Sequence, residues 1–142
     1  MMRARAVVTA VAVLALAACG DDGNGADRPA APAGSVSLEI TFADPDGERA
    51  TAVLRCGDQV VADGWLARRD ERLLCERARS LAPFLADEPD PGRACTQIYG
   101  GPQRARIRGR IDGRRVDRSF SRENGCRIAD WERVGILLPR LR

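Results

Sequence analysis

The 142-residue sequence contains no histidine and no lysine, and its 23 basic residues are all arginine, set against 20 acidic ones. Without His there is no Ser-His-Asp or Cys-His nucleophile, no His-ligated metal and no imidazole general base. Without Lys there is no Schiff-base amine and no P-loop lysine. Catalysis would have to run on carboxylates, Arg, Ser, Tyr or Cys, and no nucleophile–base set stands out among them, so the sequence points away from an enzyme. Aromatic residues are also scarce, at 4%. A single domain of this length with so few large rings has a modest core and gains from covalent cross-links.

What is present begins with an address. Met1-Met2-Arg3-Ala4-Arg5 is followed by a run of Ala, Val and Leu that ends Leu16-Ala17-Ala18 before Cys19. A basic start, a short apolar stretch and small residues at its end describe a secretory signal peptide over residues 1–18. The apolar run from Ala6 to Ala18 falls short of the roughly 20 residues needed to span a bilayer. Leu16-Ala17-Ala18-Cys19 resembles the bacterial lipobox, in which the cysteine becomes the lipid-modified first residue. On that reading the lipid bilayer is a partner through Cys19, and the protein is exported and anchored to the outer face of the cytoplasmic membrane. If Cys19 is not lipidated, the protein is secreted with an odd thiol. Residues 19–34, rich in Gly, Ala, Asp and Pro, form a flexible linker, and residues 35–142 form the folded domain.

Setting Cys19 aside leaves Cys56, Cys75, Cys95 and Cys126. Four cysteines in a small exported domain read as two disulfides, with three pairings open. No Cys-x-x-Cys pair supports a structural zinc site, and Asp87, Glu88 and Asp90 do not match a calcium loop. No cofactor and no metal are expected.

Within the domain, Val36, Leu38, Ile40 and Phe42 alternate with Ser37, Glu39 and Thr41, the period of a half-buried strand. Asp44-Pro45-Asp46-Gly47 is a turn, and a second strand is expected over about Ala50–Cys56. Gly57–Gly64 reads as a loop. Leu73, Leu74, Ala78, Leu81 and Leu85 fall at helical spacing, predicting one helix near 70–86 that carries Cys75. Asp87–Gly92 is an exposed loop. A strand over 103–111 places Arg104, Arg106, Arg108 and Arg110 on one side and Ala105, Ile107, Gly109 and Ile111 on the other. Asp112-Gly113 is a hairpin turn, the returning strand covers about Arg114–Ser121, and Asn124-Gly125-Cys126 ends it. A last segment, Ile128–Leu138, reads as helical and then strand-like. The layout is α+β with a mainly antiparallel sheet.

Three features are candidates for function. From Arg104 onward 12 Arg stand against five acids, whereas residues 19–103 hold nine Arg against 15 acids. The Arg104–Arg110 face would suit an anionic polymer or acidic partner, or it is simply a solvated sheet face. No aromatic RNA-binding motif accompanies it, so no nucleic acid is expected as a partner. The carboxylate groups sit in turns and linkers. The third candidate is Thr96–Tyr99: were Cys95 bonded to Cys126, this stretch would be pinned in the open beside the sheet, suited to docking in a protease cleft.

Taken together, the four cysteines in their order, the helix with Cys75, Cys95-Thr96-Gln97-Ile98-Tyr99, Gly113-Arg114-Arg115-Val116, the Phe120 strand and Asn124-Gly125-Cys126 resemble the Streptomyces subtilisin inhibitor family, from about Val36 to Val134. The resemblance implies disulfides Cys56–Cys75 and Cys95–Cys126, a five-stranded antiparallel sheet with about two helices and, for many members, a homodimer through the sheet. It implies an extracellular subtilisin-like serine protease as partner, held by substrate mimicry. The reactive bond falls between Gln97 (P1) and Ile98 (P1′), with Cys95, Thr96 and Tyr99 at P3, P2 and P2′. The sequence departs from the family pattern in carrying Gln at P1 and Gly100-Gly101-Pro102 after Tyr99.

Overall fold

The computed structural model describes residues 34–141. The expected signal peptide (1–18), Cys19 and the linker up to residue 33 lie outside the described residues. Among the described residues no helix is long and apolar enough to cross a membrane.

Five strands form one antiparallel sheet: β1 (Val36–Ala43), β2 (Arg49–Cys56), β3 (Val61–Ala62), β4 (Gly101–Ile111) and β5 (Arg114–Arg122), ordered β3-β2-β1-β4-β5. The two-residue period sets its faces. Val36, Leu38, Ile40, Ala52, Leu54, Ala105, Ile107, Ile111, Val116 and Phe120 are buried, while the alternating Ser37, Glu39, Arg55, Arg104, Arg108 and Arg110 are exposed. Three helices cover the apolar face: α1 (Glu71–Ser80), α2 (Ala82–Ala86) and α3 (Gly125–Arg133). Leu66, Leu74, Ala78, Leu81, Leu85, Trp131, Val134, Leu137 and Leu138 complete the core.

Local chemistry fixes the connections. At the β1–β2 turn the Glu48 amide donates to Asp44 Oδ1 at 2.8 Å. At the β4–β5 hairpin Asp112 and Gly113 both adopt positive φ, 49° and 77°, the backbone of a type I′ turn. The Asp70 carboxylate accepts from the Leu73 amide at 2.7 Å and caps α1.

Both disulfides follow the sequential pairing, Cys56–Cys75 and Cys95–Cys126. The first ties α1 to β2. Loops of 19 and 31 residue steps correspond to roughly 3–4 kcal/mol each in the loop-entropy estimate.

Four local expectations need correction. The single helix over 70–86 is two helices that share Leu81, because Pro83 has no amide to continue the ladder. The Gly57–Gly64 loop contains β3, secured where the Asp63 amide donates to Val53 O at 3.0 Å. The last helix begins before Ile128: Asn124, just past the end of β5, accepts from the Arg127 amide through its Oδ1 at 3.0 Å and starts α3 at Gly125. Finally, the tail after α3 is not strand-like. Gly135–Leu137 is a 3₁₀ turn, whose neighbouring carbonyls go to side chains instead of a strand: Trp65 Nε1 donates to Leu137 O at 2.9 Å, and Arg69 donates to Ile136 O and, at 2.6 Å, to Leu138 O.

Gly109 is the tightest point of the β1–β4 pairing. Its φ is +143°, and a Cβ there would lie 1.9 Å from the Ser37 carbonyl oxygen. We predict that Gly109→Ala destabilises the fold by about 2 kcal/mol or more, through backbone strain and the parting of β1 from β4. Gly135→Ala, with nothing within 4 Å of its added Cβ, is expected to be neutral or slightly stabilising. Thermal unfolding of the two variants reads the contrast.

Candidate functional site

The segment between the Asp87–Gly92 loop and β4 has no regular secondary structure, and Thr96, Gln97, Ile98 and Tyr99 are all exposed. Ile98 is 62% and Tyr99 65% exposed, the highest values among the large apolar side chains left in solvent. An apolar pair held outward in this way is costly in water, and the surrounding fold explains how it persists.

The segment is braced at both ends. On its N-terminal side Cys95 is bonded to Cys126 in the first turn of α3, with Cα atoms 5.3 Å apart. One residue on, the Gly125 amide donates to the Thr96 carbonyl at 3.0 Å. Thr96 also packs directly on Gly125: a Cβ at Gly125 would lie 2.0 Å from Thr96 Oγ1. On its C-terminal side the Gly100 amide donates to Arg122 O at 2.7 Å. Gly100 presses against Ile128 of α3, whose Cδ1 lies 2.9 Å from where a Cβ would be. Gly101 then enters β4 at φ +128°. Between these braces Gln97, Ile98 and Tyr99 make no backbone hydrogen bond to the rest of the fold among the described residues.

Beneath the braces lies a buried ion pair. Arg118 and Asp130 are 7% and 8% exposed, and Arg118 donates to Asp130 Oδ2 at 3.0 Å. The same guanidinium donates to the Phe84 and Asp87 carbonyls at the end of α2 and stacks 3.8 Å from the centre of the Phe84 ring. Burial lowers the Arg118 pKa from its ordinary value, with Asp130 opposing that shift. Asp130 also accepts from Arg93 at 3.3 Å, two residues before Cys95. A cleft of about 710 Å³ between the Asp87–Gly92 loop and α3 is bordered by this cluster and by Gln97.

A solved structure to which the chain is similar is that of Streptomyces caespitosus sermetstatin in complex with Bacillus licheniformis subtilisin. The two share 19% sequence identity, with 68% of this chain and 89% of that chain covered and a TM-score of 0.42. No protein-family model matches the chain, and no curated protein matches it.

Among the residues singled out from sequence, Cys95, Thr96, Gln97, Ile98 and Tyr99 come together with Cys126 in one braced exposed segment. The Arg104–Arg110 face lies elsewhere, on the outer side of the sheet. Part of it is engaged internally: Arg106 grips Asp117 through two bonds of 2.7 and 2.9 Å, and Arg104 lies 3.6 Å from Glu123. The Arg106 hydrogen bond holds the Asp117 carboxyl below its usual range, so the stability it contributes is present above the ordinary carboxylate pKa and is lost as pH falls through the depressed value. Among the described residues no group of three or more acids and cysteines is placed to hold a metal.

Sequence reasoning missed Gly100, Gly125, Arg93, Arg118 and Asp130. Arg118 had a signal: it shares parity with Val116 and Phe120, so it faces inward. We expect Asp130→Ala to cost about 3–5 kcal/mol, because it strands the Arg118 charge in the interior. Adding Arg118→Met should recover part of that loss, so that the double variant is less destabilised than the two single effects summed. Urea unfolding of the four proteins measures the coupling.

Proposed function

We propose that this protein inhibits subtilisin-like serine proteases by presenting Gln97–Ile98 as a substrate-like bond. The observation that carries the reading is the double brace around an exposed, irregular segment: the Cys95–Cys126 bond and the Gly125–Thr96 hydrogen bond before Gln97, and the Gly100–Arg122 hydrogen bond after Tyr99. The likeness of the sequence to the Streptomyces subtilisin inhibitor family supports the same bond. The absence of His and Lys fits it too, since the catalytic His would belong to the target.

The mechanism follows from the braces. A protease cleft binds its substrate extended, and a free peptide loses conformational freedom on entering it. Here part of that ordering is already met by the fold, so less binding energy is spent on it. Gln97 offers its carbonyl carbon to the enzyme's serine oxygen, with the amide on Ile98 as leaving group. Ile98 and Tyr99, already exposed, supply apolar contact on the leaving-group side. If the bond is cut, the Gln97 end stays tied to α3 through Cys95 and the Ile98 end stays tied to β5 through Gly100. The new amine therefore remains next to the acyl group, and re-formation of the peptide competes with hydrolysis.

On this reading Cys19 carries the lipid that keeps the inhibitor at the envelope, and the linker lets the domain reach its target.

Incubation with subtilisin is expected to give slow, tight loss of activity and one cleavage, between Gln97 and Ile98. The two fragments should separate only after reduction of Cys95–Cys126. Gln97→Pro should weaken inhibition at least a hundredfold, equivalent to about 2.7 kcal/mol, with unfolding unchanged. Full subtilisin activity at micromolar excess of the protein, with digestion at many sites, would refute the assignment.

A further inference from the structure

The outer face of the sheet is not uniformly basic, and the register shows where its free charge lies. Across β2, β1, β4 and β5, one row reads Arg55, Ser37, Arg110 and Arg115. The next reads Val53, Glu39, Arg108 and Asp117. The first row holds three exposed arginines and no acid, with neighbouring strands about 4.8 Å apart. Arg55 and Arg110 make no ion pair among the described residues, and Arg115 reaches Asp117 only at 4.0 Å. Two shallow depressions meet here, both lined by Ser37, Arg108 and Gly109. One is also bordered by Arg110, Arg115 and Asp117 and the other by Arg55 and Glu39, so the acids of the next row flank the basic one.

This row lies at the end of the sheet where the chain enters the domain. Gly34 donates to Asp112 Oδ1 at 2.7 Å, and Asp112 donates to Ser35 O at 2.8 Å, which places the entry beside the β4–β5 turn. The chain therefore enters the domain at the basic end. If Cys19 is held at a bilayer, the 14 intervening residues, rich in Gly, Ala and Pro, keep this end within an r.m.s. reach of about 20 Å.

We propose that the Arg55–Arg110–Arg115 row docks on the headgroups of an anionic phospholipid bilayer. Guanidinium groups pair well with phosphate oxygens, and an anionic surface attracts each basic side chain that comes within a Debye length. The 11 residues of β4 put Gly101, and the exposed segment before it, about 30 Å along the sheet from the row. The row and the segment are separate, so the proposal stands whether or not Gln97–Ile98 binds a protease.

The test uses the chain from residue 19 onward with Cys19→Ser, which keeps every described contact and carries no acyl group. It is sedimented with vesicles of phosphatidylcholine alone or mixed equally with phosphatidylglycerol. Binding is expected to the mixed vesicles only, and to fall steeply with added salt. Arg55→Gln/Arg110→Gln/Arg115→Gln should lose at least about tenfold in partitioning, while the charge-matched Arg68→Gln/Arg72→Gln/Arg77→Gln on the helical side changes little. Because Arg110 also donates to Gly113 O at 2.8 Å, Arg55→Gln/Arg115→Gln serves as a second variant that leaves the turn intact. Three results overturn the proposal: equal binding to neutral vesicles, unchanged binding by the row variants, or binding to soluble dextran sulfate without binding to vesicles. A face-to-face dimer in ultracentrifugation that the row variants dissociate would equally overturn it, because a second copy would then cover the row.

Discussion

The exposed segment is only as rigid as α3, and α3 is held down by Arg118. A disulfide from Cys95 to a loose helix would merely couple two mobile pieces. Arg118 rises from the middle of β5, satisfies carbonyls at the end of α2 and meets Asp130 of α3 at 3.0 Å. Three elements are thereby fixed to one guanidinium in the interior. Asp130 passes the constraint on through Arg93 to the stretch leading into Cys95. The arrangement is stabilising only as a set, since either partner left alone would be a buried charge without compensation. It shows how a chain poor in aromatics holds its helices: a cation stacked on Phe84 occupies space a large ring would otherwise fill.

Glycine does complementary work on the same helix. At Gly125 the missing side chain lets Thr96 sit against the start of α3, and at Gly100 it lets the chain pass Ile128. Backbone approach this close places the Thr96 carbonyl and the Gly100 amide in hydrogen bonds to fixed partners. The residues between are left with neither room to collapse onto the fold nor a strand to join. Exposure of Ile98 and Tyr99 is thus a consequence of how their neighbours are pinned.

Much of this was legible in the sequence where the relevant physics is local. The alternation in β1, the Asp112-Gly113 turn and the two-sided pattern of β4 follow from side-chain period and turn chemistry, and the structure reproduces each. The candidate segment was legible because one cysteine sits at its edge. The split at Leu81 was also readable, since Pro83 cannot supply the amide that a continuous helix needs. What was not readable depended on distance. β3 has only two residues and exists because β2 offers it an edge. Arg118 could be assigned to the inner face by parity, but nothing near it in the chain says that Asp130 will receive it. The Thr96–Gly125 contact joins residues 29 apart and is specified by packing, not by local preference.

The same long strand explains how one small domain keeps the exposed segment and the basic row apart. β4 begins at Gly101, just after the braced segment, and ends at Ile111, beside the entry of the chain. Along its outer side the arginines near the segment are neutralised in place, by Asp117 and Glu123. Those near the entry face Ser37 or one another, and no acid shares their row. The polarity seen in the sequence as an excess of Arg after residue 104 is therefore resolved within a single strand. Its positive end is the end where the chain enters the domain, and its balanced end is the one next to Thr96–Tyr99, four residues without charge. Charge repulsion or attraction at the segment would favour or exclude partners by sign. The charge beside the segment is that of the cleft it borders, where Glu88, Asp90, Arg93 and Arg127 lie with Gln97.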